Sequence, residues 1–102
     1  MIMTKVGDGL NAKNAQWKFG GEVSDNFDPH VSRSIPLYAE GHQLVTDLSD
    51  FFITKNSICY EIGCSTGTLT HRLATHHSAV TGSRFIGIDI EKDMISKARG
   101  KI

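Results

Sequence analysis

The apolar residues of this chain gather in two short runs, Ile58-Cys59-Tyr60-Glu61-Ile62 and Phe85-Ile86-Gly87-Ile88-Asp89-Ile90, with a helix-like spacing between them. The first run does not alternate strictly between apolar and polar, the pattern of a strand buried on both faces of a parallel sheet. A turn of small residues follows, Gly63-Cys64-Ser65-Thr66-Gly67. Leu69 and Leu73, four positions apart, then predict a helix from Thr66 to about Thr75 that stops at His76-His77-Ser78. The second run reads as another strand. Beyond it, Glu91 and Asp93 suit the first turn of a helix running towards Lys101, with Met94, Ile95 and Ala98 as its inner face. Strand, turn, crossover helix and second strand define an α/β class.

The upstream pattern is weaker. Met1 to Gly20 has neither a helical nor an alternating period and is expected to be an irregular arm; residues 21–102 form the domain. Trp17 and Phe19 in that arm are expected to dock on their own domain, because large rings left in water forfeit apolar burial. Val23, Phe27 and Val31, four apart, predict a short helix over Gly21 to Ser32 that accommodates Pro29 by a kink or an early end. Ser34-Ile35-Pro36 forces a break, and Pro36 suits the first turn of a new helix. Its apolar face is expected to carry Tyr38, Val45 and Phe52, widened by Leu44, Leu48 and Phe51.

Composition narrows the function classes. Eleven basic and eleven acidic residues among 102 leave no net charge, which argues against a dedicated nucleic-acid or membrane-surface binder. No apolar run approaches the roughly 20 residues of a membrane span, and residues 1–20 hold no hydrophobic signal core. The two cysteines, Cys59 and Cys64, make neither a disulfide framework nor a CxxC motif, so a reduced, cytoplasmic setting is expected. Together with His71, His76 and His77 they fit no zinc spacing, and no metal is expected. Cys64 has no evident partner base that would make it a nucleophile.

The turn carries the candidate chemistry. A strand, a glycine-bearing turn and a helix direct free backbone N–H groups and the positive end of a helix dipole at one spot, a ready site for an anionic or carboxylate group. Gly63 and Gly67 allow the tight turning and close approach that a Cβ hinders. Asp89, 22 residues after Gly67 at the carboxyl end of the second strand, is placed to accept hydrogen bonds from ribose hydroxyls. The dinucleotide fingerprint GxGxxG is not matched, because Ser65 stands at the middle glycine, and no Gly-Lys-Ser/Thr follows. Glu61, two residues before Gly63, is a poor neighbour for a pyrophosphate and a good one for a cation. S-adenosylmethionine, with its ammonium and sulfonium, is therefore favoured.

Glu61-x-Gly63-x-Ser65-x-Gly67, followed by Gly87-Ile88-Asp89, resembles motifs I and II of the class I S-adenosylmethionine-dependent methyltransferases. With Trp17-Lys18-Phe19 and Arg33-Ser34-Ile35-Pro36-Leu37-Tyr38 upstream, the chain resembles most closely the carboxy-S-adenosylmethionine synthase branch. That branch supplies a cofactor for tRNA wobble-uridine modification. The resemblance implies a Rossmann-like fold in which Tyr38 contacts the cofactor, Gly63, Cys64 and Ser65 line its methionine end, and Asp89 with Ile90 holds the ribose and flanks the adenine. It also implies that prephenate donates a carboxyl group to the sulfonium methyl. Two positions depart from the branch: Leu37 stands where glycine is usual, and apolar Ile90 follows Asp89.

The expected fold is that Rossmann-like domain cut short after its second strand and the start of the next helix, because two strands bury little core and leave both sheet edges open. Association with a second copy, as a homodimer, is the expected remedy. No general base or other catalytic residue is identifiable, and the methyl or carboxyl-group partner is unidentified. The alternative is a module that binds cofactor or oligomerises without catalysis.

Overall fold

The structure, a computed structural model, describes residues 26–101. The arm over residues 1–20, Trp17, Phe19 and Val23 lie outside the described residues. Five helices and strands of the expected order are preceded by one short helix: α1 Phe27–Ser34, α2 Tyr38–Ser49, β1 Ile58–Ile62, α3 Thr68–His76, β2 Arg84–Ile88 and α4 Lys92–Arg99. β1 and β2 pair in parallel, Tyr60 opposite Ile86 and Glu61 opposite Gly87. The α/β class and the strand–turn–helix–strand order stand as read from the pattern.

Local sequence explains most boundaries. α1 starts at Phe27, six residues after the expected start at Gly21, with Pro29 in its first turn, where a missing N–H is harmless. Ile35 closes it in an extended conformation, as a residue before proline must. α3 begins at Thr68 rather than Thr66, because Gly67, at φ 78°, is left-handed and cannot open a helix. Likewise α2 begins at Tyr38 and not at Pro36, since Leu37 between them is left-handed at φ 59°.

Leu37 is a glycine-like position filled by leucine. A left-handed conformation costs an L-residue about 1–2 kcal/mol, and Leu37 is 73% exposed, so its side chain contributes little packing. Leu37→Gly is therefore expected to stabilise the chain by about 0.5–1 kcal/mol after the added unfolded-state entropy is counted, a change measurable by urea unfolding.

Two packing expectations are corrected. β1 is not buried on both faces. Cys59, Glu61, Phe85 and Gly87 alternate inward, towards α3, whereas Ile58, Tyr60, Ile62, Ile86 and Ile88 form an exposed face. The helices of the described residues leave that face uncovered. The apolar stripe of α2 also points outward: Leu44, Val45, Leu48, Phe51 and Phe52 are exposed, while Thr46 is buried. Polar contacts to α3 set this rotation. The Ser49 hydroxyl lies 2.7 Å from His77 Nε2, His76 Nε2 lies 2.7 Å from Asp50 Oδ1, and Arg72 donates to Gln43. The small buried core contains Val31, Cys64, Leu73 and Met94.

Candidate cofactor-binding site

The turn after β1 is held by backbone hydrogen bonds rather than left open. The N–H groups of Gly63 and Cys64 both donate to the Ile88 carbonyl, at 2.7 and 2.9 Å, and Gly67 N–H donates to the Cys64 carbonyl at 2.8 Å. Ser65 N–H donates to Asp89 Oδ2 at 2.8 Å. These four donors are thus already used, which corrects the expectation of free N–H groups converging on an anion. The cause is the close approach of the two strand ends, which puts the last carbonyl of β2 beneath the turn. Gly63, Ser65 and Gly67 all have positive φ, the alternation that folds five residues back on themselves.

Asp89 ties the two halves of the site together. Its Oδ2 accepts from Ser65 and its Oδ1 accepts from Glu91 N–H at 2.9 Å. A carboxylate offers about four lone-pair directions, so each oxygen retains one for a ligand hydroxyl. Glu61 has a structural task that the sequence reading missed: its Oε1 accepts from Thr70 N–H at 3.1 Å and from Thr70 Oγ1, capping the first turn of α3. The Glu61 side chain also borders the cleft.

That cleft, about 170 Å³, is lined by Tyr38 and His42 from α2, by Glu61, Gly63, Cys64 and Ser65 from the strand end and turn, and by Phe27 and Val31 from α1. A second depression of about 390 Å³ has Asp89, Lys92 and Arg99 on its walls, and the Ser65–Asp89 hydrogen bond joins the two. Five of the seven expected residues thus share one cleft, Asp89 adjoins it, and Ile90, 93% exposed, projects at the rim. A larger cavity, about 600 Å³, lies between α3, β2 and α4; of the expected residues only Cys64 reaches it.

The cleft is acidic and partly desolvated. Burial pushes the Tyr38 hydroxyl pKa up, and the carboxylates of Asp28 and Glu61 add to the shift. Burial also raises the Cys64 thiol, helped by Asp89 and Glu61, so the sulfur stays protonated and is no nucleophile. His42 is pushed down by burial, against the pull of Glu61, and is a neutral imidazole.

Asp28 is the residue that no pattern singled out, and its only local signal is an acidic side chain in the first turn of α1. It accepts from Thr66 Oγ1 at 2.5 Å, from Thr68 Oγ1 at 3.3 Å and from Lys101 Nζ at 3.0 Å, while Lys101 also donates to the Thr66 carbonyl at 2.8 Å. This clamp fastens α1 over the turn. Burial acts to raise the Asp28 pKa, but the hydrogen bonds from Thr66 and Lys101, the Lys101 charge and Thr68 together hold it below its ordinary value. A depressed carboxyl contributes stability that is present above its unfolded pKa of about 4 and is lost as pH falls through the folded value. Wild type is therefore expected to exceed Asp28→Asn in thermal stability at pH 7, with the gap closing as pH falls below about 4.

With this geometry in place, the comparisons can be set beside it: residues 53–102 match the model of a methyltransferase domain. The chain is also similar to carboxy-S-adenosyl-L-methionine synthases. It is 36% identical to the Staphylococcus epidermidis enzyme over 81 residues, covering 78% of this chain and 35% of that protein. It is 32% identical to the Methylococcus capsulatus enzyme, covering 82% and 34%, and 37% identical to the Helicobacter hepaticus enzyme, covering 81% and 36%. The chain thus spans about a third of the length of the curated relatives it matches.

A methyltransferase domain implies S-adenosylmethionine, and the residues present fit it. A Cβ built on Gly63 would meet nothing within 4 Å, so the backbone there is open to close approach. The neighbouring carboxylates suit a cationic amino acid and sulfonium. The 170 Å³ cleft is smaller than the roughly 300–1,000 Å³ of usual ligand sites, so it has room for only part of such a molecule.

Proposed function

We propose that this chain is the N-terminal, cofactor-binding part of a class I, Rossmann-like S-adenosylmethionine-dependent enzyme of the carboxy-S-adenosylmethionine synthase type. The observation that supports this reading is the bond between Asp89, at the end of β2, and Ser65, in the turn after β1, which joins the strand-end carboxylate to the glycine-bearing turn. In this reading residues 1–20 are an arm and 21–102 the binding unit. Tyr38, Glu61, Gly63, Cys64 and Ser65 surround the methionine end, while Asp89 and Ile90 hold the ribose and flank the adenine. The bound cofactor supplies an electrophilic one-carbon centre on sulfur; the protein orients it and excludes water. The whole enzyme then transfers a methyl group or builds the carboxylated cofactor for tRNA modification, as a cytoplasmic homodimer. No helix among the described residues is long and apolar enough to cross a membrane.

Amide chemical shifts followed during titration with S-adenosylmethionine test the placement. The largest shifts are expected at Gly63, Cys64, Ser65 and Ile90. Shifts confined to the Thr75, Ser78 and Ala98 cavity would mean that the ligand sits on the other side of the turn.

A further inference from the structure

The His76–His77 pair, whose spacing to other histidines and cysteines fits no zinc pattern, acquires a third partner in the fold. Asp50 follows the last residue of α2, and His76 and His77 close α3. Asp50 Oδ1 lies 2.7 Å from His76 Nε2 and 4.0 Å from His77 Nε2, and the donor atoms of all three residues lie within 4.8 Å of one another. We propose that Asp50, His76 and His77 form a binding site for a divalent transition-metal ion of the zinc type, separate from the cofactor cleft.

Several features support an N₂O donor set here. A tetrahedral ion with bonds of about 2.0–2.1 Å sets its donor atoms about 3.3 Å apart; the two distances to Asp50 Oδ1, 2.7 and 4.0 Å, bracket that value, and side-chain rotation of the exposed Asp50 and His76 can close the rest of the 4.8 Å spread. His77 is preorganised. Only 4% exposed, it lies parallel to the Phe85 ring at 5.7 Å and edge-on to His76 at 4.7 Å. The Ser49 hydroxyl donates its one proton to the Thr46 carbonyl at 2.6 Å, so at 2.7 Å it accepts from His77 Nε2–H. Coordination would replace that proton with the metal and leave Ser49 beside the first ligand. The C-terminal ends of α2 and α3 meet at this point, and carbonyl-rich helix ends favour a cation. The last turn of α2 carries no basic residue to answer its dipole. Asp50 and His76 are partly exposed, at 58% and 38% of their side chains, which leaves the outer side open for water as the remaining ligand.

The test is calorimetric titration of Zn²⁺ into the untagged, chelator-treated 102-residue chain, with Co²⁺ absorption as a second readout of geometry. One ion per chain is expected, with tetrahedral-type Co²⁺ bands. His76→Ala and Asp50→Asn are each expected to weaken Zn²⁺ binding about tenfold or more and to abolish those bands, whereas His71→Ala, outside the cluster, leaves both unchanged. Asp50→Asn keeps a side-chain oxygen that can accept the His76 hydrogen bond, so it preserves the α2–α3 contact while removing the anionic ligand. Zn²⁺ binding that is equally tight in wild type, His76→Ala and Asp50→Asn, or the absence of binding to wild type, would overturn the proposal.

Discussion

Replacing Gly67 with alanine is expected to destabilise the chain by about 2–4 kcal/mol, the sum of a backbone and a packing penalty. Gly67 sits at φ 78°, a conformation that an L side chain resists. A Cβ there would also stand 2.8 Å from Ala98 Cβ and 3.3 Å from Ala98 Cα, where α4 crosses the turn. Neither obstacle is the movable end of a long side chain. For a domain of this size the loss corresponds to a fall in melting temperature of roughly 10–20 °C. Ala98→Gly in the same chain relieves the contact but not the backbone strain, so the pair is expected to couple favourably by about 1 kcal/mol in a double-mutant cycle. Gly67→Ala with wild-type stability would show that the turn and α4 do not meet as described.

Asp89→Ala is expected to have the largest effect on ligand binding, weakening S-adenosylmethionine about 10–100-fold. Two losses combine. The ribose hydroxyls lose a charged acceptor, and the Ser65 and Glu91 N–H groups lose the oxygens that hold the turn against the start of α4. Asp89→Asn keeps one carbonyl acceptor and similar volume, and is expected to fall between wild type and Asp89→Ala. Affinities measured by calorimetry separate the three; equal values would remove Asp89 from the site.

What was legible in the sequence was local. Five residues from Ile58 to Ile62 announce β1 because an apolar run of that length bounded by polar turn residues has few other solutions, and Gly63 and Gly67 mark the turn because only glycine takes positive φ without cost. Asp89 and Ser65 were named separately, and their pairing became visible only when β2 lay parallel to β1. The outward rotation of α2 was illegible, since its amphipathic stripe says which face is apolar and not which face α3 contacts. Ser49, Asp50 and Gln43 decide that through partners 26 to 29 residues away, at Arg72, His76 and His77. Asp28 was hidden for the same reason, with Thr66 and Lys101 lying 38 and 73 residues further along. The left-handed Leu37 was visible only as a departure from glycine in the resembling family, and its φ of 59° gives that departure a physical meaning.

The direct test of the cofactor assignment is calorimetric titration of the 102-residue chain with S-adenosylmethionine, its demethylated product and NAD. The acidic cleft beside Gly63 and the Ser65–Asp89 link predict saturable binding of the first two, with NAD producing no heat beyond dilution. Saturable NAD binding with no response to either sulfur compound would contradict the account.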